Sequence, residues 1–550
     1  MRILSVLIFF LIDLTAVFAQ NQMHSDYPLK FGTNYRIYPG NLNQTEVFIV
    51  KSPLDPQVLF SACNTLKFYP FFISEGIYTS ANGGNNWTGN DTCMGAPIDF
   101  HGGDPGITID KNGTFIITRM GRSPFVGLYS HYSLDNGQTW SAQNVISTDD
   151  LERAALATDV GPQSSYFGRT YAVWVKFALP YPLMVAYTDD AAKHWITPKP
   201  INNPVNRSAG GDIAIGPGGT LYACWAGVID VTPFNEILVG FASSSNGGED
   251  WSVTENAFAV NGITGVLPNK KNIRVNGLPG IAVDTTNGIR RGWIYIVSGQ
   301  KNLAPAGSDP DIILYRSTDG GITWSQGIRV NQDALNNGKT QYFPSMHIDK
   351  FGAINIIFYD DRHTTNDSAG VFLARSLDGG NSWSEYMISD HNFQPAPIGY
   401  LGQGYQGDNI DITSTDSRLI PVWMDNSTGI YQIWTVPIDF SDVNHIGEVD
   451  RSDVAGLKQN YPNPFTNNTM IGFRITSVGH VSLKIYDLSG NELLDLVNEI
   501  KYPGYYEVEF NPALINKSNF TANGMYILRL TLQDRVDTKR MIFIDQSLSH

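Results

Sequence analysis

At 550 residues the chain is longer than one compact core usually sustains, so two or more domains are expected. Its 37 Lys and Arg against 52 Asp and Glu give a formal charge of −15. Such a surface repels nucleic-acid phosphates and offers no polybasic patch to anionic lipid, so no nucleic-acid partner is expected. With 53 Gly, 26 Tyr and only 16% charged residues, the composition favours short strands and tight turns over helices.

Residues 1–19 have the layout of a signal peptide. Arg2 supplies a positive start, Ile3 to Leu14 an apolar stretch interrupted by Asp13, and Val17-Phe18-Ala19 a small-residue cleavage site before Gln20. No other run approaches the ~18 apolar residues of a membrane-spanning helix, so no transmembrane helix is expected and the mature chain should be exported. The three cysteines are Cys63, Cys93 and Cys224, an odd number. Cys63 and Cys93 lie in one repeat and could pair, whereas Cys224, in Leu221-Tyr222-Ala223-Cys224-Trp225, reads as a buried free thiol. No cysteine spacing suggests zinc.

The strongest signal is a repeated motif, Ser/Thr-x-Asp/Asn-x-Gly-x-x-Trp. Its copies start at Ser80, Ser133, Thr188, Ser244, Ser317 and Ser376 and end on Trp87, Trp140, Trp195, Trp251, Trp324 and Trp383. The Thr188 copy is degenerate, with Ala192 where the others have glycine. In each, the Ser and Asp/Asn side chains can bond nearby backbone, the Gly accepts positive φ, and the Trp packs beneath the turn. The motif is therefore a hairpin staple and is assigned no chemistry. The mean spacing of about 59 residues, with strand-like content between copies, points to propeller blades.

An apolar run precedes each motif, such as Ile312-Ile313-Leu314-Tyr315, and a hairpin precedes that, as at Gly106 to Ile117 around Asn112-Gly113. Counting these hairpins gives seven first strands, near Glu46, Asp104, Ala155, Gly211, Leu278, Phe343 and Asp408. The seventh unit has three strands and no motif. Tyr35-Arg36-Ile37-Tyr38 resembles the segments Ile273 to Asn276 and Ile328 to Asn331, read as fourth strands, and is expected to supply the missing strand and close the ring. The expected fold is all-β: a seven-bladed propeller over 20–440, with six blades as the alternative, then a polar linker over 441–454 and a small β-sandwich over 455–550.

That last region contains Asn460-Tyr461-Pro462-Asn463-Pro464-Phe465, then strands at Val481 to Tyr486, Gly504 to Phe510 and Gly524 to Leu532, with Lys539-Arg540 before Met541 to Ile544. These residues closely resemble the type A C-terminal sorting domain of type IX secretion substrates, over nearly all of 455–545. The resemblance implies passage through the outer membrane by the type IX machinery, removal of the domain on arrival, and a secreted or cell-surface location.

The repeated motifs over 33–439 resemble the Asp boxes of sialidases and the wider Asp-box propeller group. The resemblance implies a fold more than a reaction, because one fold hosts many activities. Sialidases hold a substrate carboxylate with three arginines and use a Tyr nucleophile activated by Glu, with an Asp acid/base. Tyr35-Arg36-Ile37-Tyr38-Pro39 approaches their N-terminal arginine motif with one residue inserted. Arg36 shares a repeated strand position with Arg274 and Arg329, however, and takes a structural reading. Arg153 and Arg207, just before the first strands of blades three and four, are the better substrate-binding candidates, and no complete triad can be assembled.

A propeller site forms where the innermost strands enter the central axis. The groups offered there are Glu46, Asp104, Asp212, Tyr342, Tyr405 and Asp408, suited to general acid and base work in glycoside cleavage, and equally to strand capping, water binding or a structural calcium ion. No cofactor is required. Within Tyr359-Asp360-Asp361-Arg362-His363 an internal Asp–Arg pair is expected. Two functions stay open: a sialidase-like enzyme acting on extracellular glycan or glycoprotein, and a non-catalytic propeller that binds glycan or protein.

Overall fold

The computed structural model describes residues 29–68, 71–92, 101–365, 367–399, 404–440, 456–460, 462–475, 479–501, 504–512, 523–532 and 535–544. The signal peptide and linker expected at 1–19 and 441–454 lie outside these residues, as does Cys93. The chain divides into two compact units, before and after Asn444.

In the first unit the described chain is almost wholly strand and turn. Six four-stranded antiparallel sheets follow one another, each pairing its strands in sequence order; they span 43–90, 101–147, 155–200, 207–259, 280–329 and 341–387. Second strands lie deep in their sheets. Thr170–Val175, Leu221–Val228, Ile294–Gln300 and Ile354–Asp360 are buried along their whole lengths. Such runs suit a strand covered on both faces, and the hydrophobic clusters accordingly join residues of successive sheets.

A seventh, six-stranded sheet joins the two ends of this unit. Asp411–Ser414, Arg418–Asp425, Gln432–Thr435 and Ile438–Phe440 are combined with Leu29–Phe31 and Tyr35–Arg36. Tyr35 pairs with Thr435 and Arg36 with Trp434, so the strand anticipated from Tyr35-Arg36-Ile37-Tyr38 does lie against the last sheet. Ile273–Val275 behaves differently. It pairs with Gly265–Leu267 in a separate two-stranded insert, and the fourth strand of the fourth sheet is Ser252–Ala259. The polar run after Trp251 reaches the sheet edge first, which frees the later residues to cross elsewhere.

The repeated motif forms the turn after each third strand. In the copy at Ser317, the hydroxyl donates to Asp319 Oδ1 at 2.8 Å and accepts the Gly321 N–H at 2.8 Å, while Asp319 Oδ1 accepts from Thr323 N at 2.9 Å. Gly84, Gly137, Gly248, Gly321 and Gly380 all have φ between +83° and +92°. Ala192 holds the same left-handed conformation at +63° without being glycine. Each Trp packs in the wedge towards the neighbouring sheet; Trp324 lies edge-on to Phe241 of the fourth sheet, 5.2 Å between centroids.

Cys63 and Cys224 are both buried free thiols, and Cys93, the partner considered for Cys63, lies outside the described residues. Cys63 Sγ lies 3.6 Å from Tyr78 Oη, and burial pushes both thiols well above their ordinary range.

In the second unit, one sheet contains Gly456–Leu457, Thr469–Ile475 and Gly504–Phe510. The other contains Gly479–Tyr486, Glu492–Lys501, Gly524–Leu532 and Arg535–Phe543. They share one core that includes Ile471, Phe473, Leu483, Leu528 and Met541. The Asn-Tyr-Pro-Asn-Pro-Phe segment is stitched to the last strand. Asn463 Oδ1 accepts the Ile542 N–H at 2.7 Å, Phe465 N donates to Ile542 O at 3.0 Å, and the Phe465 ring is 1% exposed within the core.

Candidate functional site

The first strands of four sheets are broken at one equivalent place. The register shifts between Thr45 and Phe48, Gly103 and Gly106, Ala209 and Asp212, and Tyr342 and Ser345. Inside each shift one residue takes a left-handed backbone: Glu46 at φ +55°, Asp104 at +54°, Gly210 at +55° and Phe343 at +52°. A bulge re-aims a side chain out of the strand's alternation, and a left-handed non-glycine residue is strained. Glu46 and Asp104 are thus turned out of the pleat by a conformation that glycine adopts freely in the fourth sheet.

The two carboxylates meet on Asn64, a 3% exposed residue of Leu59–Phe68. Asn64 Nδ2 lies 3.2 Å from Glu46 Oε2, 2.8 Å from Asp104 Oδ1 and 3.1 Å from Tyr405 Oη, while its Oδ1 accepts the Asp104 N–H at 2.6 Å. Asp408 completes the group: its N–H donates to Glu46 Oε1 at 3.3 Å. Its Oδ2 accepts from Arg274 Nη2 at 2.9 Å and Asn276 Nδ2 at 2.8 Å, while Oδ1 is buried with no hydrogen-bond partner. Arg274 also stands over the Tyr405 ring, 5.5 Å from its centroid.

Burial, and then the charges of Asp104 and Asp408, push Glu46 well above the ordinary glutamate range. Burial raises Asp408 too, against the pull of Arg274. Tyr405 is raised by burial and by the Glu46 and Asp104 charges. Burial would lower Arg274, but Asp408 and Glu46 outweigh it and hold the guanidinium firmly charged. The cluster therefore combines a carboxyl group poised to keep its proton, a second carboxylate beside it, and a fixed cation.

Of the residues singled out from sequence, Glu46, Asp104, Tyr405 and Asp408 come together here. Asp212 serves as a clasp between sheets: its two oxygens accept the N–H groups of Ile213 at 2.9 Å and Ile281 at 3.0 Å. Asp411 repeats that clasp on Ile49 and Ile412, and burial raises its carboxyl to about 6. Tyr342 is fully buried and stacks on Tyr359, 5.1 Å between centroids. Arg153 lies over the Phe48 ring at 4.6 Å and reaches Asn409 Oδ1 at 3.4 Å. Arg207 is caged by Phe177, Tyr181 and Phe234 and paired with Asp230 at 3.1 Å. Arg362 pairs with Asp360 and Glu385, as expected of an internal Asp–Arg pair, and Asp361 forms a fully buried pair with Lys270 at 2.6 Å.

Asn64, Arg274 and Asn276 were not foreseen as site residues. Asn64 had one legible signal, an amide in an otherwise strand-like run. Arg274 was read as the counterpart of Arg329, which in the structure pairs with Asp311 and Asp333 on a fourth strand. Among the described residues no group of three or more His, Cys, Asp or Glu side chains is arranged to hold a metal ion. A surface cleft of about 370 Å³ lies apart from the cluster, lined by turns that include Asp110, Lys111, Asp189 and Lys193. Its carboxylates serve the turns: Asp110 accepts the N–H groups of Asn112 and Thr114, and Asp189 pairs with Arg169.

Residues 459–544 match the family model described as a secretion system C-terminal sorting domain. The second unit is a sorting domain. It marks the protein as a type IX secretion substrate, secreted or held at the cell surface. Among the described residues no helix is long and apolar enough to cross a membrane. No curated protein matches the chain. Among solved structures, a protein of unknown function from Dyadobacter fermentans is 12% identical, with 75% of this chain and 99% of that one covered at TM-score 0.42. A family PL25 ulvan lyase bound to -[GlcA(1-4)Rha3S]- is 11% identical, with 73% and 95% covered at 0.44. A Hadza microbial sialidase is 14% identical, with 60% and 65% covered at 0.37.

Proposed function

We propose that the first unit is a seven-bladed propeller of the Asp-box kind, that the sorting domain is a small β-sandwich, and that the exported protein is a glycoside hydrolase acting on extracellular glycan. The observation behind the activity is the Glu46–Asp104 pair, two carboxyl groups on strained backbone, the first buried and the second half-buried, sharing the amide nitrogen of Asn64 at 3.2 and 2.8 Å. A shared donor brings the two carboxyl groups close together, which suits double displacement better than attack by an intervening water.

Glu46, protonated, donates its proton to the glycosidic oxygen as that bond breaks, and Asp104 forms an ester to the anomeric carbon. Glu46, now a carboxylate, takes a proton from water, whose oxygen displaces Asp104 and releases the sugar with retained configuration. Arg274 pairs with Asp408 beside the two carboxyl groups, and the Arg153 charge also acts on Asp408. Proton NMR of the first sugar released tests this order of events. Retention is the expected outcome; inversion would require the two carboxyl groups to act through an intervening water.

A non-catalytic glycan- or protein-binding propeller is the second reading. It is favoured by the engagement of Arg207 and Asp212 in packing and clasping, which leaves few free polar groups to grip a substrate.

A further inference from the structure

We infer that Asn64 is the positioning residue of the pair: its amide holds Asp104 as the ionised partner and leaves Glu46 as the proton carrier, with Tyr405 completing the hydrogen-bond path. The catalytic half of this statement rests on the hydrolase reading; the proton arrangement does not.

The amide can take only one orientation. Its Oδ1 accepts the Asp104 backbone N–H at 2.6 Å, and a flipped amide would set two donors against each other. The NH₂ group is thereby aimed at Glu46, Asp104 and Tyr405. It has two hydrogens for three oxygen neighbours, so the two shorter contacts, to Asp104 and Tyr405, can each take one and Glu46 is served least well. The shortest contact, 2.8 Å, goes to Asp104 Oδ1, and an N–H donor suits an oxygen that bears charge. Glu46 receives the longest of the three contacts at 3.2 Å and is 4% exposed, and its other oxygen has only the long 3.3 Å contact from the Asp408 N–H to favour ionisation. It is therefore the carboxyl group that retains a proton most readily. Tyr405 can pass its hydrogen within the group, since its Oη also lies 3.3 Å from Thr45 Oγ1.

The charged and titratable groups facing the pair are Asp408 and Arg274 towards Glu46, and Glu152 and Asp408 towards Asp104, with Arg153 beside Asp408 and Glu152. Arg274 and Asn276 are spent on Asp408 Oδ2, and none of these residues makes a direct hydrogen bond from its side chain to both carboxyl groups. Asn64 does. It also ties Asp104 twice, by side chain and by backbone, which fits a residue that supports the left-handed turn at Asp104.

The test is a double-mutant cycle on the full exported protein without substrate, combining Asn64→Leu with Asp104→Asn. Thermal midpoints are read at about pH 7.5 and again at about pH 2.5, more than a unit below the ordinary aspartate value of about 3.9. The expected result is a coupling of several degrees at the higher pH that shrinks by at least half at the lower one. Thr65→Val, in the same strand, should couple weakly to Asp104→Asn and independently of pH. A coupling equal at both pH values would make Asn64 a packing residue and overturn the inference.

The catalytic half has its own readout. Asn64→Leu should lower kcat at least tenfold, narrow the alkaline limb of the pH–rate profile and leave KM within about threefold. An unchanged pH profile would overturn this half. If no glycan is cleaved by the parent protein while the coupling depends on pH, the hydrolase reading fails and the proton arrangement stands.

Discussion

The repeated turns and the bulges of the first strands make the same demand on the backbone and meet it differently. Each turn needs a left-handed residue, and five of six use glycine, at Gly84, Gly137, Gly248, Gly321 and Gly380. Each bulge needs one too, yet only the fourth sheet uses glycine, at Gly210; the first and second place Glu46 and Asp104 there. Where only folding is served, the chain mostly takes glycine, with Ala192 and Phe343 as the exceptions. Where it bears strain on two carboxylates that also meet each other, a function is the more economical physical explanation.

The largest effects expected are chemical. Glu46→Gln and Asp104→Asn should each lower glycan cleavage at least ~10³-fold while the far-ultraviolet spectrum stays parental, because both amides keep the side-chain volume. If either variant keeps near-parental cleavage, the bulges are strained for reasons of packing alone.

Next comes the turn. A Cβ on Gly321 would stand 2.1 Å from Phe241 Cε1 at φ +91°, so Gly321→Ala combines strain with a clash in the wedge between the fourth and fifth sheets. A loss of about 2–4 kcal/mol by denaturant unfolding is expected, with cleavage per folded molecule unaltered. Together with the carboxylate variants this separates the two regions: one set removes activity and keeps the fold, the other destabilises the fold and keeps activity per folded molecule.

The pH dependence of Glu46 gives a smaller, signed effect. Its folded-state carboxyl is raised above the unfolded value, so stability is full while the group stays protonated in both states and falls as pH rises from the ordinary glutamate range through the higher folded value. Glu46→Gln, which cannot ionise, should therefore match the parent near pH 4 and melt progressively higher than it towards pH 8. A difference between the two melting curves that does not change with pH would remove the basis for a protonated Glu46. The smallest change expected is at the degenerate turn. Ala192→Gly relieves φ +63° and should add about 1 kcal/mol, measured by urea unfolding, with no change in activity.

The sheets were legible in the sequence because each repeats a local chemistry: the Ser-x-Asp-x-Gly-x-x-Trp turn announces itself, and the apolar second strands show as uninterrupted runs. The partner of Tyr35-Arg36 was legible for the same reason, since a sheet lacking a fourth strand must find one. The Asn460 to Phe465 segment was legible through its own unusual residues. Glu46, Asp104 and Asp408 could be singled out because first strands rarely spare acidic residues. Their grouping could not, because it depends on bulges that shift register by a residue and leave no mark in the alternation. Asn64 looked like one polar residue in a strand, and Arg274 was misplaced because four residues around it copy a true fourth strand while an insert over 260–279 takes them elsewhere. Tyr342 and Asp212 shared the right address, at the start of a first strand, but one side chain turned into the core and the other onto backbone N–H groups.

The most direct test of the account is sugar release by the exported protein from a panel of sialosides, neutral glycosides and polysaccharides, run beside Glu46→Gln and Asp104→Asn. The account predicts release from at least one member of the panel, lost in both variants while each still folds and binds that glycan. Glycan binding without release by the parent, or release that survives both substitutions, would contradict it.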